Sequence, residues 1–242
     1  MKSKERRLAG SLFALHSVAA IGFGLCMTGF YAHADASKSN GAFFDQDLAS
    51  TCGAPPPGDH TKGKRDYRAR FSSEEWKNDF RDFETYHMSR AERNMAPGGR
   101  AVDVMENFHF VLRRSPNHQR AMELMIKWSS AGGHDERFAK PSCFFVWGTE
   151  FVPDDPVVWR LGGLYFWKTG DVRRAQHWWE EAVRIDPESA DAHYSLGLLY
   201  FDAGNFESSR KHARAAYEAG YPLPGLRNKL EAVGQWQSTT AN

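Results

Sequence analysis

Apolar residues recur three and four apart along the C-terminal two thirds of the chain, and proline or glycine closes each run. That pattern predicts a series of short amphipathic helices. In "SSEEWKNDFRDFETYH", Trp76, Phe80, Phe83 and His87 stand at helical spacing behind a capping-box pattern of Ser72 with Glu75, so this helix should lay an aromatic face on the helices after it. "VMENFHFVLRRSPNHQRAMELMIKW" predicts a helix that ends at Pro116 with Phe108 and Val111 inward, then another through Ala121, Met122 and Met125. "CFFVWGTEFVPDD" predicts a closing helix with Phe145 inward and Pro153 as its stop, and "SSAGGHDERFAKP" before it should loop out. In "LPGLRNKLEAVGQW", Leu226 and Leu230 lie four apart with charges between them, as in a helix that caps a stack.

The densest aromatic stretch, "WRLGGLYFWKTGDVRRAQHWWEEAVRIDP", is one copy of something repeated. Shifting the chain by about 34 residues, the period of a helix pair, sets Trp159 on His193, Gly163 on Gly197, Phe166 on Tyr200, Gly170 on Gly204, Val172 on Phe206 and Ala182 on Ala216. The chain therefore resembles the tetratricopeptide repeat (TPR) family. The resemblance implies an all-α solenoid of about three to four helix-turn-helix repeats plus a C-terminal capping helix. It places Trp159, Gly163, Phe166, Ala175, Trp179 and Ala182 in the buried seam of one repeat, with His193, Gly197, Tyr200, Ser209, Ala213 and Ala216 in the next. Gly170 and Gly204 would end the first helix of each pair in a left-handed conformation, and Pro187 would follow the second helix of its pair. Ser209 and Ala213 are smaller or more polar than their counterparts and suggest looser packing there.

At the other end, "MKSKERRLAGSLFALHSVAAIGFGLCMTGFYAHADA" reads as a secretory signal. Lys2, Lys4, Arg6 and Arg7 form a basic start, an apolar run follows to about Phe30, and Ala32-His33-Ala34 offers a cleavage site. The other reading is an uncleaved anchor, because Leu8 to Phe30 is long enough to span a bilayer. The organisation is then a signal peptide over 1–34, an irregular extension over 35–71, and a solenoid over 72–236. Its clearest repeats are 156–187 and 190–222 and its cap helix is 224–236; a tail follows at 237–242. Within the extension, "CGAPPPGDHTKGKRDYRARF" combines a triproline with Lys62, Lys64, Arg65, Arg68 and Arg70, a run expected to be a solvated linker.

The 242 residues carry a formal net charge of +1. The signal holds four Lys or Arg and one Glu, which leaves 27 cationic against 29 acidic residues, a net of −2. No global field for nucleic acid or an anionic membrane follows from that balance. Cleavage removes Cys26 and leaves Cys52 and Cys143, which an oxidising compartment lets pair. An isolated pair of cysteines fixes no distance, so Cys143 buried beside Phe144 with Cys52 free in the extension is the other arrangement.

The ten histidines form no HExxH, no Cys/His ligand set and no partner to a GxSxG serine, so no catalytic residue, metal site or cofactor is assigned. His134, Asp135 and Glu136 share the expected loop without ligand spacing. The remaining candidate is a groove. In TPR proteins the first helix of each pair lines a concave face, and that resemblance implies a partner surface of Val157, Arg160, Leu164, Trp167 and Lys168. Asp191, Tyr194, Leu198, Phe201 and Asp202 continue it, and Asn228 follows from the cap. Leu164 stands where the chaperone-binding carboxylate clamp needs asparagine, so capture of a chaperone tail is not implied. The expectation is an exported, non-catalytic TPR adaptor or assembly factor that binds a peptide segment or partner protein in the cell envelope, with no nucleic acid or small-molecule substrate. A self-associating structural protein and a hydrolytic or metal-dependent enzyme using loop histidines are the alternatives.

Overall fold

The computed structural model describes residues 41–55 and 63–236. The signal segment at 1–34, and with it the question of cleavage, lies outside the described residues, as does the tail at 237–242. Among the described residues the chain is helical throughout and carries no β-strand. The helices are α1 (Gly41–Cys52), α2 (Glu74–Asp82), α3 (Ser89–Asn94), α4 (Ala101–Arg114), α5 (Gln119–Ser130) and α6 (Pro141–Phe151). They continue as α7 (Pro156–Lys168), α8 (Val172–Ile185), α9 (Ala190–Asp202), α10 (Phe206–Glu218) and α11 (Gly225–Ala232). A π-helical turn, Phe83–Met88, joins α2 to α3, and a short 3₁₀ turn, Tyr67–Ala69, precedes α2. From α5 onward consecutive helices pair as antiparallel hairpins, and α11 packs on α9 and α10 as the cap. This is the all-α TPR-type solenoid that the repeat pattern implies.

Helices α2, α5, α7, α8 and α10 begin where a side chain satisfies a free N–H group of the first turn. Asp155 Oδ1 accepts from Val157 N (3.0 Å) ahead of Pro156, Asp171 Oδ1 from Arg174 N (3.1 Å), and Asn205 Oδ1 from Ser208 N (3.1 Å). Gly170 and Gly204 end α7 and α9 at φ +87° and +73°, a region costly for any residue with a Cβ. The capping box differs from its sequence reading by one residue. Ser73 caps α2 through Trp76 N (3.2 Å), because the 3₁₀ turn already engages Ser72, whose N–H donates to Ala69 O (2.9 Å). Glu75 is drawn instead to Arg65 (3.2 Å).

The seam between α7 and α8 is the tightest part of the core. Trp178 and Trp179 are both buried, and a Cβ at Gly162 would overlap the Trp178 ring while one at Gly163 would overlap Trp179. Trp179 Nε1–H donates to Arg160 O (3.1 Å), and Trp159 Nε1–H to Pro153 O (3.0 Å). Phe166, Ala175 and Ala182 are buried around them. In the next repeat the packing is not looser, contrary to the sequence expectation. Ser209 is fully buried with its hydroxyl on Gly197 O (2.8 Å), and Leu226 of the cap fills the space over Gly197. Ala213, Leu226 and Leu230 form a second small core, with Ala216 buried nearby in the same helix pair.

The extension before Phe71 departs from its reading as an irregular linker. It contains α1, and Arg65 is buried with its guanidinium on Asp79 (2.7 Å) and Glu75 (3.2 Å). Its N–H donates to Arg114 O (2.7 Å). A buried guanidinium is tolerated because both carboxylates meet it; they lie 10 and 14 residues downstream, where no local pattern announces them. Asn117, almost fully buried, completes the attachment of this strap. It accepts from Tyr67 N (2.9 Å) and donates to Asp66 (2.7 Å) and Asp155 (2.9 Å).

The two glycine contacts differ in what must give way. At Gly162 a methyl meets a ring locked in the core, so Gly162→Ala should destabilise by about 1–3 kcal/mol even after the gain in helix propensity. At Gly197 it meets the terminal methyl of Leu226, and Gly197→Ala should change stability by less than about 1 kcal/mol. Urea unfolding of the two variants checks the order.

Candidate functional site

The residues assigned to the groove fall on α7, α9 and α11, and contacts between those helices put several on one side of the stack. Arg160 Nη1 lies 4.0 Å from Asp191 Oδ2 and links α7 to α9. At the other end of α9, Asp202 Oδ1 lies 3.4 Å from Lys229 Nζ of α11, and the same ammonium sits 5.1 Å from the centre of the Phe201 ring. Between these ends Tyr194 stacks on Tyr221, with ring centres 3.8 Å apart and planes 17° apart. Burial, with Tyr194 and Asp191 beside it, raises the Tyr221 hydroxyl above its ordinary pKa.

The other assigned residues are less concentrated. Val157, Leu164 and Trp167 are half-buried against the main core, and Trp167 leans on Trp179 with ring centres 5.8 Å apart. Leu198 is half-buried against the Leu226–Leu230 cluster. Lys168 and Asn228 are exposed. Tyr221 and Lys229 were missed by sequence reasoning. Tyr221 belongs to the turn after Gly220, outside the helical register of the repeat, and Lys229 is the immediate neighbour of Asn228 in the cap. Arg160 is half-buried and its three counterparts are exposed, so these ion pairs contribute little to stability and place charge at the rim of the aromatic surface.

Among the described residues every histidine but His134 is buried or half-buried. His193, buried where the preceding repeat has Trp159, donates from Nε2 to Pro187 O (3.0 Å), which leaves its Nδ1 to accept from His212 Nδ1 (2.9 Å). His212 stacks on Tyr200, whose hydroxyl donates to Glu180 Oε1 (3.0 Å) and accepts from Gln176 Nε2 (3.3 Å). Burial, then the neighbouring His193 and Lys211, push the His212 pKa down to about 4. Burial and Glu180 raise that of Tyr200. His118, fully buried at the start of α5, accepts from Ala121 N through Nδ1 (3.3 Å), which leaves the proton on Nε2, 3.5 Å from Glu84 Oε1. Glu84 is already engaged by Arg120 (2.7 Å), and burial, with Arg120 and Arg70 nearby, pushes the His118 pKa down to about 3. His134 is exposed in its loop with Nδ1 near Gly132 O (3.1 Å), and Asp135 is paired with Arg137 (2.6 Å). Among the described residues no group of three or more His, Cys, Asp or Glu is placed to hold a metal.

The two depressed pKa values give the fold an acid limit. In the unfolded chain His118 and His212 take up protons below about pH 6.5, whereas in the fold they stay neutral down to about 3 and 4. Stability is therefore lost as pH falls from about 6.5, each histidine adding a slope of at most about 1.4 kcal/mol per pH unit. His118→Asn keeps a capping acceptor and removes the titration, so its urea midpoint should fall less between pH 7 and pH 5 than that of the parent protein.

A family model described as Tetratricopeptide repeat matches residues 161–222, the span from the first turns of α7 to just past α10. No curated protein matches the chain. The glycine-seated tryptophans, the left-handed helix ends about 34 residues apart and the hairpin pairing all lie in or beside that span. The match over residues 161–222, with all-α hairpin packing on both sides of it, supports a tetratricopeptide repeat solenoid.

Proposed function

We propose that the protein is an exported, non-catalytic TPR adaptor or assembly factor that holds a peptide segment or a partner protein on the face formed by α7, α9 and α11 in the cell envelope. Tetratricopeptide repeats act generally as protein-interaction scaffolds, and the observation that carries the reading here is the stacked Tyr194–Tyr221 pair flanked by Arg160–Asp191 and Asp202–Lys229. Rigid aromatic surface with charge at its rim is the composition of an interaction patch. Phe201, Leu164, Trp167 and Leu198 add half-buried apolar surface on the same helices. Export rests on the basic and apolar start of the sequence and its Ala32-His33-Ala34 site. A bond between Cys52 and Cys143 agrees with an oxidising compartment. No helix among the described residues is long and apolar enough to cross a membrane.

A photo-crosslinking side chain placed at Lys168, Leu198 or Asn228 should capture partner protein in envelope preparations. The same group at Lys211, on the second helix of its pair, should not. Trp167→Ala with Phe201→Ala should reduce capture about tenfold or more, the effect of removing two anchors worth about 1 kcal/mol or more each. Equal capture from Lys211, or full capture by the double variant, sinks the groove. If the captured species is a second copy of this chain and light scattering gives a dimer, the face is a self-association surface instead.

A further inference from the structure

Through its described side chains, those of residues 47–52, helix α1 is held to the solenoid at few points. Of its described side chains only Leu48 reaches the core, with Ala49 and Cys52 packed at the edge, while Asp47, Ser50 and Thr51 are exposed. The Ser50 and Thr51 hydroxyls turn back onto Asp47 O of their own helix (2.8 and 2.9 Å). Twelve residues of helix are marginal in water without tertiary support. Among its described residues that support comes at the last turn. Cys52 is bonded to Cys143 of α6, 91 residues away, with Cα atoms 5.2 Å apart, and Trp147 Nε1–H donates to Gly53 O (3.1 Å).

Alongside α1 lies an open pocket of about 390 Å³. Leu48 and Thr51 form its α1 wall, Tyr165 and Phe166 of α7 line its apolar side, and Arg174 of α8 stands at the far edge. The repeats themselves are packed through α4 to α10 by side chains that do not depend on α1, among them Phe108, Met125, Leu161, Trp178 and Leu196.

We propose that the Cys52–Cys143 bond is a redox latch. Oxidised, it holds α1 in place as one wall of the pocket. Reduced, α1 leaves, the pocket opens into a bare face of α6 and α7, and the repeats stay folded. The two sulfurs are not equivalent toward a reductant of the dithiol class. Cys143 is 3% exposed whereas Cys52 is half-buried at a helix end, so the incoming thiolate attacks Cys52 Sγ. The Sγ–Sγ bond breaks, its electron pair leaves on Cys143 Sγ, and that sulfur takes up a proton. The reductant's second thiolate then attacks the reductant sulfur of the mixed disulfide and releases Cys52, which is protonated in turn. Two electrons and two protons enter the protein, and the dithiol departs as its own disulfide.

Hydrogen exchange read by mass spectrometry, with dithiothreitol as the reductant on the signal-free chain, tests the latch. On reduction the amides of residues 43–53 should exchange about tenfold faster or more while those of α7 to α10 keep their protection. Cys52→Ser without reductant should reproduce the change, which keeps the test valid if dithiothreitol perturbs the protein in other ways. With glutathione as the reductant, the protein–glutathione mixed disulfide, mapped by peptide mass, should form on Cys52, and its formation on Cys143 instead overturns the order of attack. Unchanged protection of 43–53 in the reduced chain and in Cys52→Ser overturns the latch, because packing alone would then hold α1. Loss of protection spread evenly over α4 to α10 also overturns it, because the bond would then be a staple for the whole fold.

Discussion

Two indole rings against two bare stretches of backbone set the geometry of this solenoid. Trp178 and Trp179 of α8 occupy the space that side chains at Gly162 and Gly163 of α7 would need, so the helices approach more closely than larger residues would allow. Burying rings of that size contributes on the order of 1.5–3 kcal/mol each, but their placement matters beyond that. Trp178 also meets Trp159, Phe166 and, across the repeat boundary, Phe145 of α6, so one ring fixes a hairpin and its neighbour together. In the following repeat the same job is divided: Ser209 hydrogen-bonds the carbonyl of Gly197, and a leucine of the cap helix supplies the missing volume. A repeat with small second-helix residues is thereby well packed only because α11 follows it.

The N-terminal side is organised by polar rather than apolar complementarity. Through its side-chain amide, Asn117 joins the strap, the turn between α4 and α5 and the N-cap of α7. Next to it, His118 caps α5 and lies 4.6 Å from the Tyr67 ring, so the strap is seated on a histidine that must be neutral. Arg65 is neutralised by Asp79 and Glu75 as the strap enters α2. Buried polar groups of this kind tolerate little change, because removing one partner strands the others. Acid sensitivity and the attachment of the strap therefore have a shared origin.

Cohesion and recognition draw on different parts of the same helices. The first helix of a pair turns its glycine and aromatic seam toward its partner and leaves another side for α9 or α11 to line; on that side charges are paired and aromatic rings are only half covered. A surface built on helices, with its side chains half-buried against the core, needs little ordering when a partner arrives.

The sequence by itself determined the helices from α4 onward and the repeat, though not α1, α3 or the N-cap of α2. Glycine at φ near +80° is legible because few residues tolerate that conformation, and the 34-residue coincidence of Gly163 with Gly197 and Gly170 with Gly204 reports a contact and a cap that recur. Pro187, Pro153 and Pro116 marked ends for the same local reason. Tertiary structure alone decided what depends on distance. It paired Cys52 with Cys143, buried Arg65 inside an apparent linker, set Gly162 beside Gly163 as an equal partner, and brought Tyr221 and Lys229 to the groove residues. Local propensity is written in neighbouring residues. A contact between residues far apart in sequence exists only once the helices between them have been stacked.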